Sequence, residues 1–319
     1  MNEYNPAGVP ASPGTPYVLP AMLIAAPTGV VWNTVGAGSR PTEQQQFDEQ
    51  LNLCRRATSM IDGFCNQPLR ATVDTETLFG PGDLRFQMFG PGIARLLLSR
   101  SPVTAVLSGR VAATVTFPAE WNPIPATGYK IEKPVIGVYG TTSPGGSGDG
   151  GSAVLLAPGY ASWWWGGRSG YQVETTYING WPHGSLAAAA AEDDVTLQVD
   201  DCTGWGPPPG MVSGATGTLH DPGAQETFTV TNATALSGPG LLTLSSPLAY
   251  KHPVGVMATT LPQSVIQAAI LFAVSQALVR GATATTIQAV PGHGDSSVNT
   301  PGWYMKEAQA LVQPYRRVI

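Results

Sequence analysis

Four single histidines, a glycine run, a His-Asp-Ser cluster and three adjacent tryptophans are the residues of this chain with the most chemistry to offer. His183, His220, His252 and His293 each stand beside Gly, Pro or Asp, and none has a second ligand at metal-binding spacing. They read as loop histidines, with no metal. "HGDSS" at His293 to Ser297 sets His, Asp and Ser side by side. Hydrolytic triads assemble across a fold, so adjacency in a loop does not position one. "GSGDGG" from Gly146 to Gly151 matches the GxGxxG pattern literally. A dinucleotide loop must leave a strand and open a helix, and no helix pattern follows here. No catalytic, cofactor-binding or metal-binding residue is assigned, and the chain does not read as an enzyme.

Trp163, Trp164 and Trp165 lie in "ASWWWGGRSGYQVETTYINGW". On a strand, the first and third point to one face and the second to the other, with "GGRSG" turning the chain into the next strand. They are either an exposed platform for sugar rings or a partner protein, or core residues of which one meets a neighbouring subunit. No acid pair at glycosidase-like positions accompanies them.

Composition narrows the function further. Charged residues make up 12% of the 319, against roughly a quarter in an average soluble domain, while 38 Gly and 29 Pro imply many turns. A net charge of −5 argues against gripping nucleic acid along a basic face. Three cysteines without a CxxC pair give no disulfide framework. Cys54 and Cys65 on one helix would stand roughly 16 Å apart, beyond disulfide reach. "AMLIAA" is too short for a signal sequence and "AAILFAV" too short to cross a bilayer. The expectation is a soluble protein made in the cytoplasm, without membrane contact.

The elements that must position these residues begin with a Pro- and Gly-rich stretch, residues 1–40, read as an extended N-terminal arm that lies on a neighbour or stays mobile. In "PTEQQQFDEQLNLCRRATSMIDGFCNQP", Thr42 and Gln45 form a capping box, and Phe47, Leu51, Cys54, Thr58, Ile61 and Cys65 make an amphipathic stripe. Between Ala71 and Ile178, short alternating runs predict four to seven antiparallel strands, interrupted by the flexible-looking tract "GTTSPGGSGDGGS". A second β-rich block, 187–260, reads as an inserted small all-β module. "LPQSVIQAAILFAVSQALVRG" follows as a helix apolar on nearly every side, and a last helix spans about Gly302 to Gln313. The fold class is α+β: a helical core, 41–186 with 261–319, carrying an antiparallel sheet region and the insert.

Taken in order, the segments resemble the head–tail connector (adaptor) proteins of long-tailed bacteriophages. The matching stretches are "IDGFCNQPL" at Ile61 to Leu69, and "LLLSRSPVTAV" with Leu98, Pro102, Val103 and Val106. "TTYINGWP" follows with Tyr177, Gly180 and Trp181, then Leu261 and Pro262 before the long helix, and "ALVQPYR" at Ala310 to Arg316. The arm before Thr42 and the 187–260 module have no counterpart in that pattern. The acidic and basic residues usual after the long helix are sparse here.

The resemblance implies a virion protein of the neck, assembled in the host cytoplasm into a homo-oligomeric ring, typically of twelve subunits. Such a ring sits beneath the portal protein and joins the next connector or tail-completion protein. Double-stranded DNA passes through its lumen without sequence recognition. A ring would also explain the apolar helix, whose surface neighbouring subunits would cover. Pro314 removes a backbone donor and disfavours helix at Gln313, so Tyr315, Arg316, Arg317, Val318 and Ile319 are expected to leave the helix extended and bind the portal. Burial of Val318 and Ile319 at about 1.5–3 kcal/mol each would outweigh exposed ion pairs of the arginines at about 0.2–1 kcal/mol. The alternative reading is a tail-associated or virion-surface carbohydrate-binding module.

Overall fold

The computed structural model describes residues 14–35, 41–80, 86–88, 94–113, 121–124, 129–131, 153–156, 171–207, 214–282 and 300–317. Its helices are α1 (Pro20–Ala25), α2 (Glu43–Cys65), α3 (Gln263–Val279) and α4 (Pro301–Val312). α2 starts where the sequence places it. The Thr42 hydroxyl accepts from Gln45 N at 3.2 Å, and the Gln45 amide oxygen accepts from Thr42 N at 2.9 Å. It stops at Asn66, whose left-handed φ of 55° asparagine tolerates better than most residues.

The buried face of α2 is Gln50, Leu53, Cys54, Ala57, Ile61 and Cys65. That is the expected stripe rotated: Phe47 is 48% exposed, and Gln50 is buried because its amide donates to the Trp32 carbonyl at 3.2 Å. Residues 14–35, part of the stretch read as an arm, supply this second side. Tyr17, Val18, Leu23, Val30, Trp32 and Val35 are buried in the same core as α2, α3 and α4. They lack periodicity because they insert singly, between turns, and so gave no pattern to read.

α2 and α4 run one way and α3 the other. At one end Arg280 pairs with Glu49 and the Ser275 hydroxyl donates to the Pro301 carbonyl. At the other, Cys65 Sγ meets the Val312 carbonyl and Tyr315 meets Ser264. α3 buries ten of its residues within the single chain. Its apolarity is thus satisfied without a neighbouring subunit, which corrects the explanation offered from sequence.

Between α2 and α3 lie antiparallel strands. β1 (Thr72–Gly80), β4 (Val103–Ala113), β5 (Asn122–Ile124) and β8 (Tyr171–Asn179) form one sheet in the order β1-β8-β4-β5. β2 (Phe86–Met88), β3 (Ala94–Leu97), β6 (Tyr129–Ile131) and β7 (Ala153–Leu156) form another in the order β2-β3-β7-β6. These eight strands exceed the expected four to seven. Leu96 from the second sheet shares a core with Leu78, Val106, Val173 and Tyr177 of the first.

Strands β9 (His183–Ser185), β10 (Thr196–Val199), β11 (Thr216–His220), β12 (Glu226–Ala233), β13 (Gly240–Leu244) and β14 (Met257–Thr259) form a third sheet in the order β10-β13-β12-β11-β14-β9. A bridge between Leu186 and Val199, with Ala187 N donating to the Gln198 carbonyl, joins its two edges and closes a small barrel. The interior is apolar, with Trp205 stacked on Phe228 at 5.2 Å. Gly217 lies so close to Trp205 that a Cβ there would meet the ring at 2.5 Å. The barrel is joined to the rest at more than its two ends. Its turn at Gly204 rests on Ala71, Ile178 and Pro182. Asp200 accepts from the Thr15 hydroxyl at 2.5 Å and the Ser185 hydroxyl at 2.9 Å.

Candidate functional site

The C-terminal residues assigned to partner binding sit against the end of α2. A helix ends with carbonyls that lack intrahelical donors. Here one donor comes from the tail: Arg317 N donates to the Cys65 carbonyl at 2.9 Å, and the Asn66 amide donates back to the Arg317 carbonyl at 3.1 Å. Pro314 ends α4 in a 3-10 turn, Gln313–Tyr315, after which Arg316 is extended. Tyr315 meets Trp181 edge-on at 5.4 Å, and its hydroxyl lies 3.0 Å from Ser264 Oγ. The Arg316 guanidinium lies over the Phe64 ring at 5.2 Å. Residues 315–317 are therefore fastened to their own chain. The chain does leave the helix extended at Arg316, but the expectation that the tail is free is corrected for these three, while Val318 and Ile319 lie outside the described residues.

Buried Gln67 organises the seat. Its amide donates to the Tyr315 carbonyl at 3.3 Å, and its oxygen accepts from Ser101 N at the same distance. Trp181 is held by backbone, donating to the Leu69 carbonyl at 2.9 Å and accepting from Ala71 N at 2.8 Å. Gly180 donates to the Pro102 carbonyl at 2.8 Å with φ of 81°, and a Cβ there would collide with the Arg70 carbonyl. Four of the segments that carry the resemblance, spread from Ile61 to Arg316, thus converge on one joint where α2, the first sheet and the tail meet and Ser264 of α3 reaches Tyr315.

Beneath the joint, the Tyr17 hydroxyl donates to Asp62 at 2.5 Å and accepts from Leu69 N at 2.8 Å and Arg70 N at 3.1 Å. Burial raises Asp62 above the ordinary carboxylate range, and burial with the Asp62 charge raises Tyr17 well above the ordinary phenol value. The pair is a fastening that stays protonated at the phenol, not a poised acid or base.

The remaining sequence candidates separate. His183 and His220 stand in strands β9 and β11 rather than in loops. His183 is wholly buried. Its Nε2 faces the Thr15 and Pro16 carbonyls at 3.0 and 3.1 Å and so must carry the proton, leaving Nδ1 to accept from Thr259 at 2.9 Å. Burial pushes it down to about 4. His252 lies between Asp221 at 3.0 Å and Glu226 at 2.6 Å, one carboxylate on each nitrogen. That geometry clamps Asp221 and Glu226, at the β11–β12 turn, to the chain between β13 and β14, and no described group of His, Cys, Asp and Glu is arranged to hold a metal ion. Cys54, Cys65 and Cys202 are buried thiols, and burial pushes the first two up to about 12, far from a nucleophile's range. Trp163, Trp164, Trp165, His293 and the Gly146 to Gly151 run lie outside the described residues.

Gln67, Phe64 and Ser264 belong to this site and were missed from sequence. Gln67 lay inside a quoted motif, but nothing in an amide's identity says that it will link two distant backbone groups. No described helix is long and apolar enough to cross a membrane. No family model, curated protein or solved structure matches this chain.

Proposed function

We propose that this chain is a structural head–tail connector. Its subunits form a ring beneath the portal and join the next connector or tail-completion protein on the far side, and DNA passes through the lumen without being read. The portal and the chain's own copies are its partners, and its role is mechanical rather than catalytic.

One observation supports the reading most. Four of the five segments matched to the connector pattern, separated by long stretches of other sequence, come together at the Trp181, Gln67 and Tyr315 joint. The joint also sets the tail on the end of the helical bundle, where a neighbouring ring can reach Arg316. Since α3 is covered within the chain, subunits must meet through other faces.

Mass photometry of the purified chain tests the ring: a particle of many subunits, near twelve, is expected. A monomer or trimer that binds glycans on an array would overturn the connector reading in favour of a carbohydrate-binding module.

A further inference from the structure

In a chain with few charges and an excess of acidic ones, three arginines belong to the segments that meet at the joint, and none of them forms an ion pair among the described residues. Gln67 bonds the main chain of Tyr315 on one side and of Ser101 on the other, so Arg100 and Arg316 each adjoin, along the chain, a residue that Gln67 holds. Arg316 is exposed, and Arg100 and Arg317 are partly so. Among the described residues none of the three forms an ion pair; the ion pairs seen there belong to Arg110, Arg280 and His252. Asp62, whose carboxyl feels Arg100, is buried and already bonded to Tyr17 and Leu69 N. Half-buried aromatic surface at Phe64 and Trp181 flanks the arginines.

We infer that this surface docks a carboxylate-bearing face of a partner protein. The inference deepens the connector reading and rests on it for the partner's identity as the portal. Arginine presents a planar fork that matches carboxylate oxygens two at a time, and pairing strengthens where aromatic neighbours exclude water. A protein face fits better than nucleic acid. The basic surface is small, its flanks are apolar, and the negative charge of the whole chain opposes a phosphate backbone. Docking through these arginines is salt-sensitive, unlike anchoring through Val318 and Ile319 alone.

The test uses the full chain and a fluorescein-labelled oligoglutamate peptide, read by anisotropy, with a labelled DNA duplex of equal charge in parallel. Arg100→Gln, Arg316→Gln and Arg317→Gln are combined in one variant. Arg55→Gln with Arg56→Gln, two exposed arginines elsewhere on α2, is the control. The tail is held through the backbone of Arg317, so the triple variant should fold, and its circular dichroism checks this. Oligoglutamate affinity should fall about tenfold or more in the triple variant, stay unchanged in the control, and vanish between roughly 0.05 and 0.5 M salt. Equal affinity in the triple variant, no binding by wild type, or duplex binding that the triple variant loses in preference to the peptide would each overturn the inference. Mass photometry on the same samples separates the two readings. Rings that ignore oligoglutamate overturn the acidic partner face alone, whereas a monomer that binds it through the three arginines supports the surface and sinks the ring.

Discussion

Both ends of the described chain are fastened to α2, but with different materials. The N-terminal segment is held mainly by its side chains, six buried apolar residues and the Tyr17 to Asp62 bond, with the main-chain carbonyls of Thr15 and Pro16 bonded to His183 as well. The C-terminal tail is held chiefly through its own main chain, by bonds to the Cys65 carbonyl and from the side-chain amides of Asn66 and Gln67, and by one half-buried tyrosine. Burial of apolar side chains stabilises by kilocalories each, whereas backbone bonds near solvent exchange with water at little net cost. The first end is part of the core. The second is a fitted attachment whose loss is expected to leave the rest folded.

Removing residues 1–35 is the strongest way to break this contrast. It removes six buried side chains worth about 1.5–3 kcal/mol each, which together match the whole stability of a typical domain, about 5–15 kcal/mol. The expected result is loss of cooperative unfolding in the helical signal by circular dichroism. A truncated chain that melts like wild type would show that the segment only covers the bundle. Next in size is acid. His183 sits at about 4 in the fold against 6.5 when free, so the unfolded chain takes the proton first as pH falls. Stability is full above pH 6.5, declines toward pH 4 and then levels, with a total near 3 kcal/mol from this group alone. The groups around it are the Thr15 and Pro16 carbonyls, Thr259, Asp200 and Arg70. Denaturant midpoints of wild type and His183→Gln should converge across that window; parallel curves would show that His183 does not titrate there.

What the sequence made legible was local. The capping box of α2, the apolar run of α3 and most of the module's strands are patterns within a few residues, set by one periodicity each. The N-terminal fastening was not legible because Tyr17, Leu23 and Trp32 enter the core one at a time from a Pro-rich stretch that carries no period. Barrel closure depends on a strand of three residues and on Leu186, too short to announce itself. The tail's seat was hidden for a further reason. Arg317 N and the Cys65 carbonyl would make their bond whatever side chains they carried, so composition cannot reveal it. Gln67, Pro102, Gly180 and Trp181, all within the quoted motifs, sit at the joint.

Tyr17→Phe sharpens the contrast at single-atom scale. It leaves Arg70 N without its acceptor and Asp62 with only the longer bond to Leu69 N, in a buried setting. The expected cost is about 1–3 kcal/mol by urea denaturation.

Tyr315→Phe is the matching change at the other end and should cost least. It removes the hydroxyl that faces Ser264 at 3.0 Å but keeps the edge contact with Trp181 at 5.4 Å and the bond from Gln67 to the main-chain carbonyl. Ser264 is partly exposed and can turn its hydroxyl to water, so no buried group is stranded. About 0.5–1.5 kcal/mol is the ordinary net worth of such a bond, and the lower half is expected here. The same urea series decides between the materials. If Tyr315→Phe proved as damaging as Tyr17→Phe, the tail would be a core element like the N-terminal segment, and docking would have to leave it in place. If its cost is small, as expected, Tyr315 can leave Trp181 when a partner engages Arg316 and Arg317, and the seat it vacates offers that partner the Trp181 ring.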